Sequence, residues 1–308
     1  MKTTLLLLIV PALANAQPAP PDVPIEDPKP EAKPEAPEQK PIAAQPVEKP
    51  RPPDPEVAMP QVWTAPTGFL LPAAVLYSRT GVDTGGGVVS DQRVGLGDVA
   101  EFGVSTIDQV RARVIPTAAP EAIQPYVTAT FRMGVSEDRT FTGQPGIVLG
   151  FRKSFERNVD SHSSRLAELT LVASKHLGKY AAVHVGGAFW DVELKGSGLD
   201  TAFHDRDTYG VGDQLRPFGG LEVEAIDHAR ILVDVGWAPE FCYGCTGKQI
   251  QLRPELSWGV RYAVADWCSL ESGVRVPDIA AANLLDAQIF GAVTFTSWAL
   301  RHAVDDLK

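Results

Sequence analysis

"QIQLRPELSWGVRYAV", residues 249–264, alternates from end to end. Ile250, Leu252, Pro254, Leu256, Trp258, Val260, Tyr262 and Val264 hold one phase. Gln249, Gln251, Arg253, Glu255, Ser257, Gly259, Arg261 and Ala263 hold the other. A period of two marks a strand with unlike faces. Its apolar face can meet a protein core while the charged face meets water. It can equally meet lipid, with the charges turned inside a barrel. Alternation alone is common to both, so length, loops and chain ends have to decide.

Length favours lipid. A strand of this many residues is roughly 53 Å long, and a tilt near 45° leaves roughly 37 Å of height. Strands of soluble sandwiches are nearer five or six residues. Working outward, further strands read at about 70–79, 87–96, 99–106, 109–115, 124–135, 146–155, 165–176, 180–194, 215–226, 229–238, 268–276 and 286–298. Taking 99–106 and 109–115 as one bent strand, the expected number is about twelve. Tight joints at Leu177-Gly178-Lys179, Asp227-His228 and Ala265-Asp266-Trp267 alternate with long links at 156–164, 195–214, 239–248 and 277–285. Sorting short turns to one end and long loops to the other is a membrane-barrel habit. The expected fold is all-β: a transmembrane, antiparallel, up-and-down barrel over 66–300, with a tail at 301–308.

The chain ends fit export. Lys2, the apolar run Leu5 to Val10 and Ala14-Asn15-Ala16 read as a signal peptide over 1–16, cleaved before Gln17. No later stretch is long and apolar enough for a transmembrane helix. Residues 17–65 are rich in Pro, Glu and Lys and read as a disordered periplasmic arm. Extended at about 3.1 Å per residue, residues 18–60 could reach on the order of 130 Å. Such an arm is expected to act as a spacer or as a tether toward cell wall or a periplasmic protein. The formal net charge of −10 argues against nucleic acid as a partner. The expected surroundings are outer-membrane lipid, and no cofactor is expected.

The stretch PTGFLLPAAVLYSRTGVDTGGG at 66–87, behind a secretion signal and a proline-rich leader and ahead of the strand ladder, carries a resemblance. It resembles uncharacterised outer-membrane β-barrel proteins of deltaproteobacteria and myxobacteria that begin with a PTG-LLP stretch. The likeness covers most of the mature chain and implies a barrel in the cell outer membrane, with no assigned activity. One departure stands out. Barrels of this type end on an aromatic residue, whereas here ALRHAVDDLK follows Trp298.

In the barrel reading the polar phases line the lumen. The expected lumen charges are Arg93, Arg111, Arg113, Arg132, Arg152, Glu168, Glu222, Glu224, Arg230, Asp234, Arg253, Glu255, Arg261, Glu271 and Arg275. The early strands look Arg-rich and the later ones mixed. A web of ion pairs filling a narrow interior is one expectation. A narrow pore whose Arg rows attract anions is the other. Trp237 and Tyr262 fall in the apolar phase near opposite strand ends, where interfacial aromatics belong.

Cys242 and Cys245, in a C-x-x-C within a long loop, are expected to form a local disulfide, as exported proteins favour. Cys268 is expected to be free. No metal set is seen, because no other Cys or His lies nearby to complete one. Catalysis is not expected: His162 and Ser163 are neighbours in a loop, and no H-x-S motif is read in a strand. His176 and His184 read as lumen residues near Glu168. The alternatives to a structural or narrow-pore barrel are a soluble periplasmic or cell-surface β domain that binds a partner or ligand, and an outer-membrane lipid hydrolase.

Overall fold

A computed structural model describes residues 54–107, 110–113, 121–122, 126–159, 162–196, 199–204, 215–242, 250–281 and 286–307. Its strands in chain order are β1 (Leu76–Asp83), β2 (Val88–Leu96), β3 (Ala100–Ile107), β4 (Arg111–Arg113), β5 (Glu121–Ala122), β6 (Tyr126–Val135), β7 (Gly146–Ser154) and β8 (Arg157–Val159). They continue with β9 (His162–Leu177), β10 (Ala181–Gly196), β11 (Leu199–His204), β12 (Arg216–Ile226), β13 (Ala229–Cys242), β14 (Ile250–Ala265), β15 (Cys268–Val276) and β16 (Gln288–Ser297). Helix α1 (Ala299–Asp305) follows.

Four of these strands, β4, β5, β8 and β11, stand outside the wall. The other twelve pair antiparallel, each with its neighbour in the chain, and β16 closes on β1. Closure leaves no sheet edge for another chain to extend. Chain direction then sorts the links. The turns at 178–180, 227–228 and 266–267 share one end with the start of β1 and with α1. The long links after β3, β7, β10, β13 and β15 share the other. The β6–β7 link, residues 136–145, is a longer one on the short-turn end.

The faces are inverted relative to a soluble fold. On β14, Trp258, Val260, Tyr262 and Val264 are exposed, while Glu255, Ser257 and Arg261 are buried at 1%, 3% and 5% exposure. On β6, Val127, Phe131 and Met133 face out, while Tyr126, Thr128, Thr130 and Arg132 are buried. An apolar exterior around a polar, paired interior is the arrangement of a barrel immersed in hydrocarbon.

Three expectations change. First, 99–106 and 109–115 are not one strand. Arg111–Arg113 instead pairs parallel to β13 at Glu240–Cys242. β12 begins at Arg216 and its pairing with β13 reaches only Val235, so the next residues of β13 offer free backbone groups on that side. β4 takes them up beyond Val235, where an unpaired buried backbone would be costly. Second, β1 starts at Leu76, so 70–75 are not wall. Third, His162 and Ser163 lie in strand β9, not in a loop, so His162 and Ser164 stand a strand period apart.

The interior is not wholly polar either. Val148, Leu166, Val172, Trp190, Val192 and Leu194 form an apolar cluster with Val110, Phe241 and Ile250. On β10, Ala188, Trp190, Val192 and Leu194 are buried in this cluster.

Candidate functional site

The interior of the barrel holds a second piece of chain. Residues 54–75 run in from the short-turn end, turn, and return to start β1. Val62 N–H donates to Ala65 O at 3.0 Å, Thr67 N–H donates to Pro60 O at 3.0 Å, and Gln61 bridges antiparallel to Pro66. The Thr67 hydroxyl donates to Met59 O at 2.7 Å. The result is a tight hairpin over Met59–Thr67. Gln61, Val62, Trp63, Ala65 and Thr67 are all buried. The boundary expected at residue 65 therefore moves. The stretch 54–65, expected to end the arm, belongs with the barrel, because its Val, Trp and Ala side chains find apolar surface and its backbone finds partners there.

The tip is gripped by one carboxylate. Asp234 Oδ2 accepts from the backbone N–H groups of Trp63 (2.9 Å), Thr64 (2.7 Å) and Ala65 (2.9 Å). The Thr64 hydroxyl donates to Oδ1 at 3.3 Å. Successive N–H groups converging on one anion form a nest, here filled by a wall side chain. Trp63 is seated beside it. Its ring meets Phe290 edge-on at 5.1 Å and Arg79 lies over it at 6.0 Å. Below it Gly259 and Gly273 face each other across β14 and β15. A Cβ at either would stand 2.4 or 2.7 Å from the Trp63 ring. The glycines make the room that the indole fills.

Arginines hold the rest of the hairpin by its carbonyls. Arg79 donates to Trp63 O (2.9 Å), and Arg261 donates to Val62 O (2.8 Å) and Gln61 O (3.2 Å). Arg132 donates to Pro60 O (3.2 Å) and also to Thr67 O. Leu71 N–H donates to Glu101 Oε2 at 3.1 Å. On the return limb, Gly68 N–H donates to Ser174 Oγ at 2.5 Å, and Ser174 shares a hydrogen bond with His184 Nδ1 at 2.7 Å. His184 Nε2 stands 3.6 Å from Glu222. Serine, histidine and carboxylate in line are the makings of a nucleophile and its base. Ser174, however, is 1% exposed under the hairpin backbone, where its hydroxyl accepts from Gly68 N–H.

The same arginines are neutralised by acids in two chains. Glu271 bridges Arg79 (2.7 Å) and Arg261 (2.8 Å), and Glu222 lies 3.5 Å from Arg261. Arg93 pairs with Asp91 (2.6 Å) and Glu101 (2.9 Å), and Glu101 also meets Arg132 (2.5 Å). Toward the long-loop end, Asp83 takes Arg275 (2.9 Å) and Arg111 (3.3 Å). Arg152 pairs with Glu168 at 2.5 Å. Arg253 lies between Asp278 (3.3 Å) and Glu240 (3.6 Å). Arg230 reaches Glu56 at 2.7 Å and Glu222 at 3.8 Å. Glu255 is buried and Glu224 half-buried. The Arg113 side chain lies outside the described residues.

Several groups escaped the sequence reading. Arg79, Asp83, Asp91 and Glu101 are all buried. The early strands thus carry acids inside as well: Asp91 and Glu101 meet Arg93, Glu101 also meets Arg132, and Asp83 meets Arg111 and Arg275. Period-two alternation from Tyr77 would have exposed the signal, had β1 been started at Leu76. His184 sits with Ser174 and Glu222, and His176 with Glu137 at 2.5 Å; neither adjoins Glu168, whose partner is Arg152. The His162 side chain lies outside the described residues. Cys242 is disulfide-bonded and Cys268 is free. Cys245 lies outside the described residues.

α1 contacts the inner segment at the short-turn end. His302 Nε2 and Asp54 Oδ1 are 2.8 Å apart, and Arg301 donates to Ala73 O at 3.2 Å. Both ends of the inner segment are thus pinned to the tail that follows Trp298.

No family model and no curated protein matches the sequence. Solved structures of similar fold include the KdgM porin in complex with disordered oligogalacturonate, 6% identical over 72% of this chain and 98% of that one, with a TM-score of 0.42. The NanC porin is 12% identical over 72% of this chain and 98% of its own, with a TM-score of 0.41. Outer membrane phospholipase A from Escherichia coli is 12% identical over 73% of this chain and 91% of its own, with a TM-score of 0.39.

Proposed function

We propose that the protein is an outer-membrane β-barrel sealed at rest by its own hairpin, with a structural or narrow-pore role and no catalytic one. The observation that carries this is the hairpin itself, seated in the barrel with its tip on Asp234. The apolar cluster around Trp190 supports it, since packed apolar side chains disfavour water there. Lipid on the outside is supported by the belt of exposed Val, Leu, Ile and Phe, which bulk water would disfavour. A soluble binding domain would not put its ion pairs inside and its aliphatics outside. The acids beside Arg79, Arg93, Arg132 and Arg261 remove the case for an anion-attracting pore at rest.

A gated pore is the second reading, and the nature of the fastening favours it. The hairpin tip and its carbonyls are held by hydrogen bonds and charges, which water can replace one by one. The arm upstream would then serve as the handle, toward cell wall or a periplasmic partner.

Purified chain inserted in a planar bilayer tests the sealed state. The wild-type protein is expected to give no steady conductance, and Asp234→Ala with Trp63→Ala is expected to give discrete openings. A wild-type barrel that conducts continuously would overturn the proposal.

A further inference from the structure

We infer that the outer wall over β1, β2 and β3 is a contact face for a second copy of this chain within the membrane. The inference rests on the membrane-barrel reading above. Mid-wall outward positions on the two strands that follow β3 are apolar: Val127, Ala129, Phe131 and Met133 on β6, Ile147, Leu149 and Phe151 on β7. β1, β2 and β3 break this rule. Ser78 and Thr80 on β1, Ser90 and Gln92 on β2, and Thr106 on β3 all point outward. They are contiguous: Ser78 lies opposite Gln92 and Thr80 opposite Ser90 in the ladder, and Ser90 N–H donates to Thr106 Oγ1 at 2.7 Å.

Their depth matters. Gln92 is the central residue of the nine in β2, so its amide sits at mid-wall, far from either rim. Gln92 Nε2 donates to Ser78 Oγ at 2.8 Å. Its carbonyl oxygen and the hydroxyls of Thr80 and Ser90 have no partner among the described residues. Hydrocarbon cannot satisfy them, so a polar group there calls for another polypeptide.

A second copy is the occupant these groups fit. An amide carries donor and acceptor together, as a hydroxyl does. Across a two-fold axis a residue near the axis meets its own image, and only self-complementary groups are satisfied that way. Gln92 against Gln92 of the partner subunit closes a donor–acceptor pair in both directions. Shape agrees. Beside the polar patch is an apolar recess of about 450 Å³ edged by Leu76, Val94, Phe102 and Phe295. Phe102 and Phe295 also stand proud of the wall, 46% and 43% exposed, so one copy's rings can enter the other's recess.

Cross-linking in isolated membranes tests this. Gln92→Cys in a Cys268→Ser background is expected to give a dimer-sized band on oxidation, and Leu221→Cys on β12, across the barrel, is expected to give none. In detergent, sedimentation equilibrium of the wild-type chain is expected to show a dimer, weakened roughly tenfold by Gln92→Leu. Equal cross-linking at both positions, or a wild-type monomer in detergent whose Gln92→Cys form stays uncross-linked in membranes, would overturn the interface. So would a monomer with phospholipid bound in the recess. Those outcomes, in a chain that still fractionates with membranes and migrates faster unboiled, leave the barrel reading standing. A chain that fractionates as soluble monomer removes both.

Discussion

At the scale of single residues, Asp234 decides whether the hairpin stays. Its carboxylate satisfies three N–H groups within or beside buried residues. Asp234→Ala leaves those donors unpaired, at a cost of about 3 kcal/mol once some water has entered. A change of that size raises the released fraction roughly a hundredfold. Asp234→Asn keeps one carbonyl oxygen and is expected to cost less. A maleimide that cannot cross the bilayer, applied to Thr64→Cys in a Cys268→Ser background, measures this directly. Labelling is expected to be slow in that protein, fast with Asp234→Ala and intermediate with Asp234→Asn. The sequence named Asp234 as an inward charge, because alternation on β13 reaches it. Its role was out of reach, since the groups it holds lie about 170 positions away in a stretch that reads as spacer.

Trp63 makes the same point from the other side. Truncating a buried indole costs on the order of 3–5 kcal/mol. The floor beneath it is equally specific. Gly259→Leu or Gly273→Leu would drive a side chain into the space of the ring. Either variant is expected to expel the tip and raise Thr64→Cys labelling while the wall persists. If labelling remains slow, the Trp63 seat is not what holds the hairpin in place.

At the scale of elements, the link 136–145 between β6 and β7 carries its own charge cluster at the rim. Lys175 Nζ meets Glu137 (2.8 Å) and Asp138 (2.9 Å), and His176 Nδ1 meets Glu137 at 2.5 Å. Partial burial pushes the Glu137 carboxyl up, but hydrogen bonds from Lys175 and His176 outweigh it and hold it below the usual range. The Lys175 ammonium and the Gly143 N–H hold Asp138 low as well. A carboxylate with a lowered folded value adds stability above its unfolded pKa and loses it as pH falls through the folded one. The unfolded values are 4.5 and 3.8. Hydrogen-exchange protection of 136–145 is therefore expected to be flat from neutral pH down to about 5 and to fall below about 4. Unchanged protection at pH 3 would show that the ion pairs do not order the link.

Elements also show what a sequence can and cannot tell. The wall strands were legible because each keeps its period for eight residues or more, and lipid and lumen enforce the two phases. β9, β10, β13 and β14 outgrow the membrane band and remain readable because their hairpin turns fix them. β4 was not legible as a separate partner of β13: three residues carry no period, and its pairing is nonlocal. The hairpin over Met59–Thr67 was hidden by its prolines. Pro60 and Pro66 resemble those of the arm, yet here they flank a turn and limit its freedom before it docks.

At the scale of the whole molecule, closure, inverted faces and interior pairing make one cooperative object. No strand can leave without stripping two ladders of hydrogen bonds. Removing an inward Arg leaves an unpaired acid behind. Detergent at room temperature supplies too little to break such a wall, and heat supplies enough. The full chain is therefore expected to migrate faster unboiled than boiled on a detergent gel. The shift is expected to survive Asp234→Ala and Trp63→Ala, since those act on the hairpin and not on the ladder. Glu271→Ala is different. It strands Arg79 and Arg261 together in the interior, each with its principal partner gone, and both also hold hairpin carbonyls. An uncompensated buried charge costs about 3–5 kcal/mol. That variant is expected to lower the temperature at which the fast form disappears and to speed Thr64→Cys labelling at once. If the fast form melts earlier while labelling stays slow, the ion pairs serve the wall alone and the hairpin stands on Asp234 and Trp63.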